Sequence, residues 1–332
     1  MAEAILEINN LYIDYPISIG TVKAVEDASL KILKGEVLGL VGESGCGKST
    51  LGLAIQKLIR PPGKITGGQI IYHGKHIISL DGQLTNYSKD ILTLKDKDVL
   101  KIRGQNIAMI FQNPLMSLNP LFKIEDQFYE TIKHHEAGVK KKEARERAED
   151  MVESLGIEKE RLNEYPHQLS GGMRQRVMIG LSLILNPDIL IADEPTTSLD
   201  VIVEAGFIDL LNSLRDKYNL SVLLISHNLG LVAEIADRVA VMYAGRIIEL
   251  GEANTIYKNP LHPYTFGLIN CIPNIKLDQQ ELFTMPGSPP DLVNPPPGCH
   301  FYPRCPKVMD KCKIETPVLV QQEEQKVACW LF

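Results

Sequence analysis

The sequence predicts an α/β protein with a large regular body and an irregular tail. Three observations carry that reading: apolar strand-like runs alternate with amphipathic helical stretches, a glycine-rich turn joins one strand to a helix, and prolines and cysteines crowd the last quarter of the chain. The run EVLGLVG at 36–42 is short, β-rich and ends in glycine, as a buried strand does. A helix is expected over 50–60. Between 140 and 155 the period turns helical, with apolar Ala144, Ala148, Met151, Val152 and Leu155 and a solvated charged face. DILIAD at 188–193 and SVLLIS at 221–226 read as further buried strands, and RVAVMYAGRIIELG at 238–251 as two strands about an Ala-Gly turn. No repeat of solenoid length is visible.

The chain has 332 residues, about two domains' worth, with 44% apolar residues, enough for a sizeable core. Its 35 basic and 41 acidic residues leave a net charge of −6, which argues against a partner bound through nucleic-acid phosphates. No apolar run approaches the roughly 18 residues of a membrane span, and the start lacks a secretory leader. A cytosolic protein is expected, with any membrane role depending on partners.

GESGCGKS, residues 42–49, follows the first buried strand and opens a helix. It satisfies GxxxxGK[ST] in the strand–loop–helix context where glycines let backbone N–H groups converge on phosphate. Gly42, Ser44, Gly45, Cys46, Gly47, Lys48, Ser49 and Thr50 are the expected cradle. Lys48 should reach the β- and γ-phosphates, and Ser49 should ligate Mg²⁺. A helix N-terminus could also lower the thiol pKa of Cys46. ILIADEP ends a buried strand with two acids: Asp193 for Mg²⁺, and Glu194 to polarise the attacking water. LSGGMRQR, 169–176, opens an apolar helix expected over 173–185 and makes a second anion-seeking N-terminus.

With these residues the chain resembles the ATP-binding-cassette ATPases, the nucleotide-binding subunits of ABC transporters. The order phosphate loop, glutamine loop, signature, acidic strand, D-loop, switch histidine is complete. The resemblance implies a P-loop NTPase core with a RecA-like lobe, an antiparallel β lobe and a helical subdomain at about 113–185. It also implies that Gln112 in FQNP contacts Mg²⁺ and senses a membrane partner, and that Asp200 in Ser198-Leu199-Asp200 belongs to the D-loop. His227 in LLISHN would be the switch histidine, and Tyr15, with Tyr12 nearby, would stack on adenine. Ser170, Gly171 and Gly172 would contact the γ-phosphate bound by a second subunit. Glu194, His227 and Lys48 would then be the catalytic residues of an ATP hydrolase driven by head-to-tail dimerisation.

Twelve of twenty prolines and five of six cysteines lie beyond residue 255, so a boundary is expected there: 1–255 for the ATPase domain, 256–332 for an extension. NPLHPYT and PGSPPDLVNPPPGCHFYPRCP resemble the C-terminal region of the dipeptide, oligopeptide and nickel importer subfamily. His262 and Tyr264 are expected to serve a structural turn. Cys299, Cys305, Cys312 and Cys329 could form disulfides, hold zinc, hold an iron–sulfur cluster or stay unligated thiols; a reducing compartment disfavours the first and the missing C-x₂-C knuckle the second. Resemblance to subfamily members with this pattern implies a [4Fe–4S] cluster stapling a segment poor in regular structure. Cys271 is expected to be a small buried residue outside that set. The implied whole is the ATPase subunit of a peptide importer at the cytoplasmic face of the membrane. Its implied partners are a second homologous ATPase, two membrane-spanning permeases and an extracytoplasmic binding protein. Nickel or oligosaccharide cargo is the alternative, and a soluble cassette ATPase of translation or DNA repair a more distant one.

Overall fold

The structure, a computed structural model, describes residues 3–74, 87–112, 118–196, 201–271 and 284–332. The chain divides into two compact units. One comprises Met1–His73, Ser88–Thr93 and Leu223–Phe332; the other comprises Gly74–Tyr87 and Leu94–Val222. Among the described residues no helix is long and apolar enough to cross a membrane.

The first unit contains an antiparallel sheet in which Ala4–Ile17 lies between Gly20–Leu33 and Lys64–Gly74. Register shifts at Ile8/Leu11 and Leu11/Ile13 break the strict alternation of apolar residues. Asn10 and Asp27 take φ of 46° and 52° there, and the Asn10 amide donates to Asp27 at 2.7 Å. A second sheet runs in the order Val320–Gln322, Gln325–Val327, Arg246–Glu252, Arg238–Tyr243, Val37–Val41. Val37–Val41 lies parallel to Arg238–Tyr243 and is buried throughout, as its unbroken apolar run requires. The expected hairpin is present: Ala244 and Gly245, at φ of 46° and 85°, form a turn whose twist suits antiparallel strands. Residues on both sides of 255 lie in this unit. The tail adds two three-residue strands, Val320–Gln322 and Gln325–Val327, to the hairpin's edge. Its helices, Ala253–Lys258, Pro263–Asn270 and Asp310–Ile314, are short.

The second unit pairs Ile107–Ile110 with Ile189–Asp193 in parallel. Among its described residues the α-helices are Asp96–Ile102, Ile124–His135, Lys141–Ser154, Gly171–Leu183 and Val201–Tyr218. Lys141–Ser154 buries Ala144, Ala148, Met151 and Val152, the stripe its periodicity predicts. Arg145 on its polar face bonds Glu125 and Glu149.

Candidate nucleotide site

The phosphate loop leaves the buried strand Val37–Val41 and enters the helix Lys48–Ile55. This helix begins two residues before the expected start and ends earlier, where Lys57 adopts φ 52° ahead of Pro61 and Pro62. Ser44 and Gly45 are exposed at the loop's crest, Gly47, Ser49 and Thr50 are half-buried, and Gly42, Cys46 and Lys48 are buried. Gly47, at φ 108°, turns the chain into the helix so closely that a side chain there would strike the Ala24 carbonyl. The Lys48 ammonium curls back under the loop and donates to the carbonyl oxygens of Gly42 and Glu43 at 2.8 and 2.9 Å. It also approaches Cys46 Sγ at 3.8 Å. This lysine both closes the loop on itself and places a positive charge beneath it. Burial pushes the Cys46 thiol up, outweighing the lowering by Lys48, so the lowering that a helix N-terminus could bring does not prevail.

Residues of the tail hold this loop. The Glu43 N–H donates to the Tyr264 hydroxyl at 2.9 Å, and the Glu43 carboxylate receives both arms of Arg304 at 2.7 and 3.0 Å. The Gly245 N–H donates to the Cys46 carbonyl at 2.9 Å, and His300 Nδ1 lies 2.9 Å from the Ala244 carbonyl. Tyr243, Tyr264, Phe301 and His262 form a continuous ring cluster, with Tyr243 and Tyr264 centroids 4.5 Å apart. The turn role expected of His262 is present: its Nδ1 accepts the Tyr264 N–H at 3.0 Å and caps the helix Pro263–Asn270. Burial pushes its imidazole down to about 3, so it stays neutral. Tyr264 goes beyond the expected turn role, because its hydroxyl reaches the phosphate loop. Sequence reasoning missed Glu43, Arg304 and His300. An acid inside a phosphate loop signals a need for a nearby cation, but nothing in the sequence says which cation answers it.

Elsewhere in the first unit, Tyr15 is half-buried with its ring against Gly63, and Tyr12 packs on Gly67. His227 follows the buried strand Ser221–Ser226 and is exposed; the next residue, Asn228, caps the helix Leu229–Ile235 by accepting the Leu231 N–H at 3.3 Å.

In the second unit, Asp193 ends the buried strand Ile189–Asp193, and Glu194 follows at φ 46°, a left-handed conformation uncommon for a residue other than glycine. Gln112 Nε2 donates to Glu194 Oε2 at 2.8 Å, joining the glutamine and the glutamate singled out from sequence. The signature helix Gly171–Leu183 starts two residues before the predicted position. Ser170 caps it by accepting the Met173 N–H at 3.3 Å. Ser170 and Gly171 are exposed and Gly172 half-buried, so the helix tip is open to a partner. Within this helix Gln175 is buried and donates to the Pro195 carbonyl at 2.8 Å, tying the signature to the residue after Glu194. Asp200, with Ser198 and Leu199, lies outside the described residues.

Cys299, Cys305, Cys312 and Cys329 all line one cavity of about 10 Å³ beside His262 and Trp330. The Cys299 N–H donates to the Cys312 carbonyl at 2.8 Å, and burial raises the Cys299 thiol to about 11. Among the described residues no group of three or more His, Cys, Asp or Glu side chains is placed to hold a metal ion. The donor chemistry thus fits a thiolate-bound centre, while the cavity as it stands does not, so the expected cluster is unsupported by this geometry. Cys271 is exposed, contrary to the expectation of burial.

Sequence models of two families match. The one described as ABC transporter covers residues 25–197, and the one described as oligopeptide/dipeptide transporter, C-terminal region, covers residues 248–312. The chain is 43% identical to a dipeptide transport ATP-binding protein of Bacillus subtilis, over 99% of this chain and 95% of that protein. It is 40% identical to an oligopeptide transport ATP-binding protein of Salmonella typhimurium, over 99% of this chain and 94% of that protein. Among solved structures, a dimeric bacterial ABC transporter cassette aligns at a TM-score of 0.61 and 27% identity, over 75% of this chain and 98% of that one. A cassette from Clostridium perfringens, part of an ABC transporter complex, aligns at 0.62 and 26% identity over 77% and 92%. The chain therefore belongs to the ABC transporter family, among the ATP-binding proteins of the oligopeptide and dipeptide transport type.

Proposed function

We propose that this protein is the ATP-hydrolysing subunit of an importer of dipeptides or oligopeptides, working at the cytoplasmic face of a membrane. The observation that carries the chemistry is the Gln112–Glu194 hydrogen bond at the end of an acid-tipped strand. It accompanies an intact phosphate loop with Lys48 fixed beneath it. Backbone N–H groups of residues 44–49 and the Lys48 ammonium receive the triphosphate, and Tyr15 stacks on the adenine. Ser49, Gln112 and Asp193 would hold Mg²⁺, which supplies charge neutralisation between the β- and γ-phosphates. Gln112 can serve both ends of its amide: its NH₂ donates to Glu194, and its carbonyl oxygen is the end a magnesium ion would take. Glu194, left-handed and oriented by Gln112, polarises the attacking water, and His227 assists. Asp200 completes the set by resemblance.

The exposed Ser170–Gly171 tip of one copy closes on the γ-phosphate held by a second homologous ATPase, so binding drives dimerisation and hydrolysis releases it. The work passes to two permease subunits fed by an extracytoplasmic binding protein. Cys299, Cys305, Cys312 and Cys329 line one cavity and are the thiolates that would hold a [4Fe–4S] cluster; the cavity as it stands does not fit one, so this assignment rests on the resemblance alone.

The test is Glu194→Gln. That variant should bind ATP as the wild type does, lose on the order of 10²–10³ in turnover, and accumulate a nucleotide-bound dimer in sizing experiments. Near-normal hydrolysis in the variant would remove Glu194 from the role given to it here.

A further inference from the structure

Three parts of one loop residue, Glu43, are each tied down, two of them by the tail. Its N–H bonds Tyr264, its carbonyl oxygen accepts Lys48, and its carboxylate is forked by Arg304. The Arg304 side chain is buried, only 5% exposed, and its remaining contacts hold it in place. Its Nε donates to the Pro286 carbonyl at 2.9 Å, Nη1 reaches the Tyr243 hydroxyl at 3.3 Å, and the guanidinium lies 5.8 Å from the Tyr243 ring centre. A guanidinium stays cationic at every working pH, so this charge is permanent.

A carboxylate at the second position of a triphosphate loop is an electrostatic liability. The ligand carries several negative charges, and an unpaired carboxylate beside them repels it. That carboxylate would also compete with the phosphates for the Lys48 ammonium. We propose that Arg304 is a positioning residue for nucleotide binding. By neutralising Glu43 and drawing its carboxylate toward the tail, it keeps the loop's field positive and the Lys48 ammonium available to phosphate. The tail of the chain is thereby part of the nucleotide-binding apparatus rather than an appendage. This inference rests on residues 42–49 being the phosphate loop.

The test measures ATP, ADP and AMP binding by calorimetry on the full chain for wild type, Arg304→Met, Glu43→Gln and the double variant, alongside the melting temperature of each without nucleotide. Arg304→Met should weaken ATP binding by about tenfold or more, and ADP and AMP by progressively less, because it leaves a partly buried charge unpaired next to the ligand. Adding Glu43→Gln should restore ATP affinity to within about threefold of Glu43→Gln alone, the coupling expected of residues in contact. Should Arg304→Met fail to fold, Arg304→Gln carries the same comparison, since it keeps a donor for Pro286 and Tyr243 while losing the charge. Loss of affinity equal for ATP and AMP and unrelieved by Glu43→Gln would overturn the proposal, as would unchanged ATP binding in the Arg304 variants. A wild type that binds no ATP at all would instead refute the phosphate-loop reading on which the proposal stands.

Discussion

Gly45 and Gly47 make a matched pair for testing how the loop is built. Both have positive φ, 80° and 108°, so replacing either with alanine carries the left-handed cost of roughly 1–2 kcal/mol. They differ in surroundings. A methyl group on Gly45 meets nothing within 4 Å, whereas one on Gly47 would sit 2.2 Å from the Ala24 carbonyl oxygen and 2.8 Å from Met242 Cε. The methionine tip can swing aside, but Ala24 belongs to the strand Gly20–Leu33 and its carbonyl cannot move without the sheet. Overpacking of this kind typically adds about 1–3 kcal/mol, bringing Gly47→Ala to roughly 2–5 kcal/mol against about 1–2 for Gly45→Ala. At about 2–4 °C per kcal/mol, nucleotide-free melting should fall by about 2–8 °C for Gly45→Ala and by about 4–20 °C for Gly47→Ala. ATP titration of the same samples should show Gly47→Ala as the weaker binder, because the shift needed to relieve Ala24 moves the loop's amides. Equal melting temperatures for the two variants would refute the claim that Ala24 confines the loop.

Two further outcomes are expected. His262 stays neutral in the fold at about 3, while the unfolded imidazole takes its proton near 6.5, so the unfolded state binds more protons between those values and stability falls as pH drops through that window. The slope approaches about 1.4 kcal/mol per pH unit, and His262→Asn, which keeps a cap acceptor but cannot titrate, should lose less melting temperature between pH 7 and 5. The nearby Glu249 carboxylate, raised by burial, works in the opposite sense in both proteins, and parallel curves would exclude His262 as the source. For the cysteine cavity, the cluster that the resemblance implies would make anaerobically purified protein brown, with about four iron and four sulfide per chain. Replacing Cys299 with serine should abolish both, and a colourless, iron-free wild type would eliminate the cluster.

What the sequence made legible was whatever repeats at short range. Ser221–Ser226 and Ile189–Asp193 are unbroken apolar runs because both faces are covered, and such runs need no partner to be recognised. The helix Lys141–Ser154 announces itself by the spacing of Ala144, Ala148, Met151 and Val152. Ala4–Ile17 is harder to read because its bulges carry two residues past one and spoil the alternation on which strand detection depends. The strands Val320–Gln322 and Gln325–Val327 are shorter than any period, and they exist only because the edge of Arg246–Glu252 is there to pair with. The candidate site was legible as glycines, lysine and acids at fixed spacings, since phosphate chemistry dictates those residue types locally. The bond between Gln112 and Glu194 spans 82 positions, and only folding reveals it.

The proline-rich tail brings these limits together. Among its described residues the helices are short, as the composition leads one to expect, while Gln325–Val327 pairs on both sides; read alone, the composition suggests a separate module in need of a staple. Yet Arg304 meets Glu43 across 261 positions, Tyr264 meets it across 221, and His300 lies against the hairpin turn whose Gly245 bonds Cys46. A segment without regular structure must find partners for its polar groups outside itself. Here several of those partners are the phosphate loop and the turn beside it. The same bonds that let an irregular chain segment pack are therefore bonds that shape the loop. It follows that damage to the tail, whether at Arg304 or at Tyr264 and Phe301 where they pack on Tyr243, should register first as weakened nucleotide binding and only then as lost fold.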